Sequence, residues 1–529
     1  MSSYSIRVEF PLRARRGDTR LIVMVTDAQG QEVYRDRADL NRERTRRDIA
    51  ARISQITGES ADSIDQRLLQ GLSSLAPPPQ PSKAAASGGS PFPYEETPDG
   101  IIWNRGIPEG IVPIPLTTFT ARIVGQVVED DGAEVRRLLE IEAALRGRSY
   151  RFQVPSEHFS SMAWPMEHMG AGAALWPGFG IKDHARFAIQ ALSYRAWDPP
   201  EQRVYAHLGW REIGGVWCYL HAGGAIGPVG PVPNVAVSLP QDLERYQLPA
   251  PPTGAALVDA VRASLRSLEV AGDRVTFPLY CAVLRAPLGS SDFGVHLVGA
   301  TGIGKTELAA LCQQHYGAGM DARHLPGSWL STDNALEMLA FLAKDALTAV
   351  DDFSPSGDHH KIQALHARAD RLFRAQGNAA GRGRLRSDGT PRPTRPPRGL
   401  VLSTGEDVPR GQSLRARVLV LEVPGQGTGA VDWDKLTLCQ ADAAAGLYAQ
   451  AMAGFVRWLA PQYWDVRQEL RGQISTLRQQ AYQSSQHRRT PDIVASLAVG
   501  LHYFLTFAQE VGALDEDEAA TLWRRGWQA

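Results

Sequence analysis

The stretch that most constrains this chain is Gly299-Ala300-Thr301-Gly302-Ile303-Gly304-Lys305-Thr306, a complete G-x-x-x-x-G-K-T pattern. It is entered from the apolar run Val295-His296-Leu297-Val298 and continued by Glu307-Leu308-Ala309-Ala310-Leu311. A β-type run, a glycine-rich turn and a series of good helix formers predict strand, tight loop and helix in that order. Glycines let the loop curl so that successive backbone N–H groups converge on phosphate oxygens at the positive end of the helix. Lys305 then adds charge at the β- and γ-phosphates, and Thr306 offers its hydroxyl to Mg²⁺. Only six lysines stand among the 56 basic residues, so chance seldom places one in this pattern. The expected ligand is ATP with Mg²⁺; the bland alternative is a glycine-rich strand-to-helix turn with no ligand.

A phosphate loop does not separate a kinase from a motor or a switch, so the downstream motifs decide. Leu347-Thr348-Ala349-Val350-Asp351-Asp352-Phe353 is an apolar run closing in two carboxylates, and a parallel strand delivers such groups at its C-terminal edge. Asp351 is expected to hold Mg²⁺ through water, and Asp352 to orient and deprotonate the attacking water. The alternative is a strand-end turn capped by aspartates. Gly399-Leu400-Val401-Leu402-Ser403-Thr404-Gly405-Glu406 is a second strand ending in small polar groups, where Ser403 and Thr404 are candidates to sense the γ-phosphate. Ser413-Leu414-Arg415-Ala416-Arg417 precedes a further buried strand. Arg415, ahead of Arg417, is the candidate arginine finger for a neighbouring subunit, against a local carboxylate partner as the alternative.

Between the first two motifs, Trp329 to Glu337 carries a helix start with Asn334 as N-cap and Glu337 at the third position. Beyond the aspartates, Arg382, Arg384, Arg386, Arg392, Arg395 and Arg398 face the single acid Asp388 in a stretch dense in glycine and proline. That composition predicts a projecting loop or hairpin whose guanidiniums suit DNA phosphates. No aromatic residue lies between Ala375 and Leu400, so contact there is expected to be electrostatic and blind to sequence. The alternative is a solvated loop.

At 529 residues the chain exceeds one ordinary core. Residues 1–72 read as a small α+β module, 73–92 as a Pro/Gly/Ser/Ala-rich linker and 93–252 as a mostly β domain. Residues 253–424 read as the α/β P-loop ATPase domain and 425–529 as an all-helical lid or accessory domain. Trp164, Trp176, Trp210 and Trp217 are expected to fill the core of the β domain. The start MSSYSIRVEF lacks an apolar signal core, and no membrane-spanning run stands out, so a cytoplasmic protein without membrane contact is expected. The four cysteines have no C-x-x-C pairing and read as reduced core residues. A net charge of −1 rules out a uniformly basic nucleic-acid binder and leaves room for local positive surfaces.

The order of phosphate loop, TDNALE helix, double aspartate, basic loop, STGE strand and SLRARVLVLEV resembles a family of P-loop ATPases from phages, plasmids and integrated elements. These are often catalogued only as a domain of unknown function and are associated with primase-like or replicative helicase proteins. The likeness runs from about Tyr94 to the C-terminus and includes Phe119-Thr120-Ala121-Arg122-Ile123, Leu208-Gly209-Trp210-Arg211, Tyr219 to Gly224 and Arg489 to Val494. It implies an AAA+-type ATPase that forms a homo-oligomeric ring, similar to minichromosome-maintenance and superfamily 3 helicases. In such motors a hairpin before the sensor strand enters the central channel and grips DNA, and residues 381–398 occupy the matching place. Many relatives have Asp-Glu where this chain has Asp351-Asp352, one methylene shorter at the second carboxylate, although paired aspartates also occur in superfamily 3 helicases. The expected function is an ATP-hydrolysing DNA helicase or translocase serving a mobile genetic element. A nucleotide-dependent DNA-binding initiator or switch, and more remotely a P-loop transferase, are the alternatives.

Overall fold

The computed structural model describes residues 4–9, 21–40, 43–74, 93–196, 198–383, 385, 389–411, 414, 416–482 and 490–529. The chain divides into two compact units, Met1–Pro91 and Phe92–Ala529. Most of the segment expected as a linker lies outside the described residues.

In the first unit, strands Ser5–Glu9, Leu21–Thr26 and Glu32–Ala38 form an antiparallel sheet in chain order, followed by helices Glu43–Thr57 and Ala61–Ser74. Val23 and Val25 point inward by strand alternation, while Ile49, Ile53, Ile64 and Leu68, at helix spacing, close the core. The charged run before Ile49 is partly used inside the unit: Arg46 pairs with Asp65 of the second helix at 2.8 Å.

The second unit starts with two sheets sharing one core. Strands Tyr94–Thr97, Gly100–Ile107 and Gly110–Pro115 form a three-stranded meander. Thr120–Asp130, Val135–Leu145 and Arg148–Pro155 build most of a five-stranded sheet, and helix Ile181–Ala196 packs against Thr120–Asp130. Phe119, Ile123, Ile141, Trp164 and Ile189 meet in this core. The stretch expected as one β domain nevertheless feeds two cores. The antiparallel strands Gly209–Ile213, Val216–His221, Gly224–Gly227 and Gly230–Pro231 send Trp210, Tyr219 and Ile226 into the core shared with the parallel sheet instead. The reason lies at Gly209, whose backbone passes so close to the Lys344–Asp345 turn that a Cβ would sit 2.3 Å from the Lys344 carbonyl. Trp210 N–H then donates to Asp345 Oδ2 at 3.0 Å and its indole N–H to the Pro287 carbonyl at 2.6 Å. Of the four tryptophans expected in the β core, only Trp164 is there: Trp217 packs beside Tyr463, and Trp176 is 48% exposed.

The central sheet has five parallel strands in the order Gly327–Ser328, Leu347–Phe353, Leu400–Gly405, Gly294–Val298, Val418–Glu422. The middle strands are almost continuously apolar and buried, as a parallel sheet covered on both faces requires. Helices Asp273–Arg285, Lys305–Gln313, Asp333–Leu342 and His359–Gly377 belong to this α/β region. The N-cap of Asp333–Leu342 is Thr332, whose hydroxyl accepts the Ala335 N–H at 3.3 Å; Asn334, expected to cap, lies within the first turn.

The C-terminal region is helical: Trp433–Ala444, Leu447–Leu459, Tyr463–Ala481, Thr490–Glu510 and Glu516–Gln528. Helix Thr490–Glu510 is long and apolar enough to cross a membrane, yet most of it is buried inside the fold. It crosses Asp273–Arg285 so closely that a Cβ on Gly500 would meet the Arg285 backbone N at 2.7 Å. All four cysteines are buried and unbridged.

Candidate functional site

The strand Gly294–Val298 leads through residues 299–304 into helix Lys305–Gln313. Gly302 and Gly304 hold left-handed φ angles of 81° and 91°, which side chains resist, and Gly304 is the helix N-cap. At Gly299 the restriction is space: a Cβ would lie 2.4 Å from the Ile303 side chain and 2.9 Å from the Val423 carbonyl. The curled loop is therefore dictated by glycines at these places. Lys305 is buried, and its ammonium donates to the carbonyls of Gly299 at 2.9 Å and Ala300 at 2.6 Å. Burial pulls its pKa down, opposed by the carboxylates of Glu406, Asp351 and Asp352, with Glu406 the strongest of the three.

Strand order brings the other groups in. Leu400–Gly405 lies between the phosphate-loop strand and the acidic strand, so its polar end reaches both. Thr404 donates its hydroxyl to Asp351 Oδ1 and accepts the Asp352 N–H at 3.3 Å. Thr306 donates to the same Asp351 oxygen at 3.1 Å. Asp351 is thus held by one hydroxyl from the phosphate-loop helix and one from the neighbouring strand. Ser403 does not join them: it is buried, accepts from the Trp329 indole at 2.9 Å and lies 2.9 Å from His296 Nδ1. Strand alternation separates the two candidate sensors, and only Thr404 faces the acids. Asp352 is exposed with φ of 68°, at the point where pairing between the acidic strand and its neighbour shifts register. Such a bulge breaks the alternation that would send two adjacent carboxylates to opposite faces.

Glu406 was not among the residues expected in the site. It is exposed, and its carboxylate accepts from the hydroxyl of Thr301, inside the phosphate loop, and from Ser354 Oγ at 3.2 Å. Its backbone N–H donates to the Phe353 carbonyl at 3.0 Å. These two hydroxyls, and then the charge of Lys305, hold its carboxyl below the usual carboxylate range.

The C-terminal helices also reach the loop. Gly304 lies against Val431 and Trp433, 3.3 Å and 3.4 Å from the position of a Cβ, and Gln440 donates to Glu307 Oε2 at 2.7 Å.

The arginine-rich stretch is arranged differently. Leu385 and Pro391 pair as an isolated antiparallel bridge. Arg382 pairs with Glu337 at 3.0 Å and Asp333 at 3.5 Å, and Arg395 with Asp131 at 2.7 Å. Arg398 donates to the Phe341 carbonyl at 2.7 Å and the Asp131 carbonyl at 2.8 Å, with its guanidinium 3.6 Å from the Phe341 ring centroid. Acids and carbonyls distant in sequence therefore engage three guanidiniums that face a single acid locally. Arg384, Arg386 and Arg415 lie outside the described residues. Arg417 donates to Asn378 Oδ1 at 2.9 Å.

Chemically, the site offers a glycine-shaped loop, an ammonium and a hydroxyl–carboxylate pair of hard oxygen donors of the kind Mg²⁺ takes. A protein family described as a domain of unknown function (DUF927) matches residues 272–390, which include the phosphate loop and the acidic strand. No curated protein matches the chain. A solved structure titled "SCCmec type IV Cch - active helicase" is similar over 84% of this chain and 79% of its own, at 13% sequence identity and a TM-score of 0.48. Over residues 272–390, then, the likeness read from the motifs coincides with a family catalogued as a domain of unknown function.

Proposed function

We propose that the protein binds ATP with Mg²⁺ at residues 299–306 and hydrolyses it to drive a DNA helicase or translocase, working as an AAA+-type homo-oligomeric ring of a mobile genetic element. The observation that carries this reading is the convergence on Asp351 of Thr306 and Thr404, from the phosphate-loop helix and the strand beside it. A nucleotide-binding turn without chemistry has no need of that second strand.

The residues fit the ligand. The loop that a Cβ at Gly299 would obstruct presents backbone N–H groups to phosphate, and Lys305, held within the loop, supplies the charge at the β- and γ-phosphates. Thr306 and Asp351 would hold Mg²⁺, which when bound supplies charge neutralisation at the phosphates. Thr404 fixes the Asp351 carboxylate and, through the Asp352 N–H, the turn that follows. Arg415 is the finger donated to the adjacent subunit's site in this reading. The decisive experiment mixes Lys305→Ala and Arg415→Ala proteins, each inactive alone. A shared site predicts that ATP turnover reappears in the mixture, and its failure to reappear contradicts a ring with composite sites.

One observation favours a second reading, a nucleotide-dependent initiator or switch on DNA. Arg382, Arg395 and Arg398 are engaged within the fold, which reduces the charge that the hairpin can offer to a moving strand. Turnover without strand separation supports that reading; unwinding of a forked duplex supports the motor.

A further inference from the structure

We propose that the outer face of helix Ile181–Ala196, with Phe187 and Tyr194 as stacking rings, is a second nucleic-acid site of this protein and takes the bases of single-stranded DNA. The choice of DNA rests on the reading of the chain as a DNA-coupled motor, whereas the stacking chemistry rests on the helix itself.

This helix sorts its apolar residues by kind. Ile181, Ile189 and Leu192 turn into the core behind strand Thr120–Asp130, while Phe187 is 56% exposed and Tyr194 47% exposed. Leaving rings of that size in water forgoes much of their burial, so their exposure points to a ligand. Seven residues make nearly two turns, which puts both rings on one side of the helix, about 10 Å apart along its axis. Each ring is held from behind. Phe187 meets Tyr94 edge to face with ring centroids 5.8 Å apart, and the Tyr94 hydroxyl lies 2.9 Å from Nδ1 of His184, whose ring stacks on Trp103 at 3.8 Å. The Tyr194 hydroxyl accepts from Gln126 Nε2 at 2.9 Å. Rings fixed in this way lose little freedom when a ligand binds.

Charge says what covers the face. The helix carries Lys182, Arg186 and Arg195 against a single acid, Asp183, which lies 3.6 Å from Arg186. Arg105, with its guanidinium 5.6 Å from the Trp103 ring centroid, adds to the positive rim. Neither Lys182 nor Arg105 forms an ion pair among the described residues. Aromatic faces for bases beside cations for phosphates are the combination that sequence-blind binding of a single strand uses. A duplex hides its base faces within its own stack and cannot use these rings. Residues 381–398 offer guanidiniums without any aromatic ring, so the helix supplies the half of the recognition that they lack.

The test titrates full-length wild type, Phe187→Leu, Tyr194→Ala and Phe187→Trp with three labelled probes: a single-stranded DNA of mixed sequence, an abasic oligomer of the same length, and the corresponding duplex. Sedimentation follows the oligomeric state. Phe187→Leu keeps apolar bulk at an exposed position and removes the π-face. Phe187→Leu and Tyr194→Ala are each expected to weaken single-strand binding about tenfold, the range for loss of one stacked base, and to leave its salt dependence unchanged. Affinity for the abasic oligomer and the duplex is expected to stay at the wild-type value, and Phe187→Trp to bind the single strand as wild type does. The proposal is overturned if Phe187→Leu and Tyr194→Ala bind the single strand normally, or if they lose affinity for the abasic oligomer to the same extent. It is overturned as well if the loss comes with a change in subunit number, which marks the face as an interface between copies. Wild type that binds no single-stranded DNA overturns the DNA reading itself, a result distinct from normal binding by wild type and Phe187→Leu alike.

Discussion

The phosphate loop and the arginine-rich hairpin are both dense in signal, yet their side chains meet different fates. In residues 299–306 the pattern governs backbone shape, and the glycine conformations at Gly302 and Gly304 follow from local sterics wherever the segment is placed. In residues 381–398 the pattern is charge, and what a guanidinium does depends on which acids the rest of the fold brings near. Asp131 arrives from a turn in the β region, and Asp333 and Glu337 from the helix after the short strand Gly327–Ser328. A motif written in backbone geometry keeps its meaning on folding; one written in charge can be given another.

The largest effect that can break this contrast lies in the loop. Lys305→Ala is expected to weaken ATP binding and turnover together by about 100-fold or more, because a charge-assisted bond to phosphate has no substitute there. Equilibrium dialysis and a phosphate-release assay check it, and a variant that still turns over ATP removes the loop from the account.

Next is Arg398, the hairpin's strongest attachment. Arg398→Ala leaves the carbonyls of Phe341 and Asp131 without their donor and removes the guanidinium over the Phe341 ring, which should cost about 2–3 kcal/mol of stability. Denaturant melts check this. Unchanged stability with weakened DNA binding returns Arg398 to a nucleic-acid surface.

Both regions carry a buried histidine behind them, and these make stability depend on pH. Burial pushes His207, near Arg398, from 6.5 down to about 3, and His296, behind the phosphate loop, from 6.5 down to about 4. Folded protein keeps both imidazoles neutral, whereas the unfolded chain takes up protons below about 6.5. Their contribution is therefore complete above about pH 6.5 and falls progressively as pH drops from there, to about 4 for His296 and about 3 for His207. Replacing His207 with Gln should flatten part of that slope in melts taken at intervals of pH.

Smaller effects sharpen the picture. Thr404→Val keeps the shape and removes the hydroxyl shared by Asp351 and Asp352, so kcat should fall about tenfold with ATP affinity within about twofold. Equal loss in Ser403→Ala would erase the distinction between the two faces of that strand. Arg382→Ala should change stability by less than about 1 kcal/mol, since its ion pairs are partly exposed, and leave the salt dependence of DNA binding unaltered. A flatter salt dependence assigns Arg382 to DNA after all.

The same contrast explains what could be read in advance. Lys305 and Thr306 were legible because spacing along one strand–loop–helix unit fixes their relation, and Asp351 because a parallel strand, here one strand removed, ends on the same edge of the sheet. Ser403 and Thr404 were legible only as a pair, since which side of the strand faces the acids depends on its register with Gly294–Val298. Glu406 was hidden because its partners, Thr301 and Ser354, approach it only in the assembled sheet. Trp210 was assigned to the wrong core for a similar reason: nothing near Gly209 in sequence announces that the Lys344–Asp345 turn will press against it.

The most direct test of the central claim, that residues 299–306 form the hydrolytic half of a DNA-coupled site, is the steady-state ATP turnover of the full-length protein with and without single-stranded DNA. The account predicts measurable turnover that rises when DNA is added and disappears in Lys305→Ala under both conditions. Turnover that is absent, or that persists in Lys305→Ala, contradicts the site; turnover indifferent to DNA contradicts the coupling.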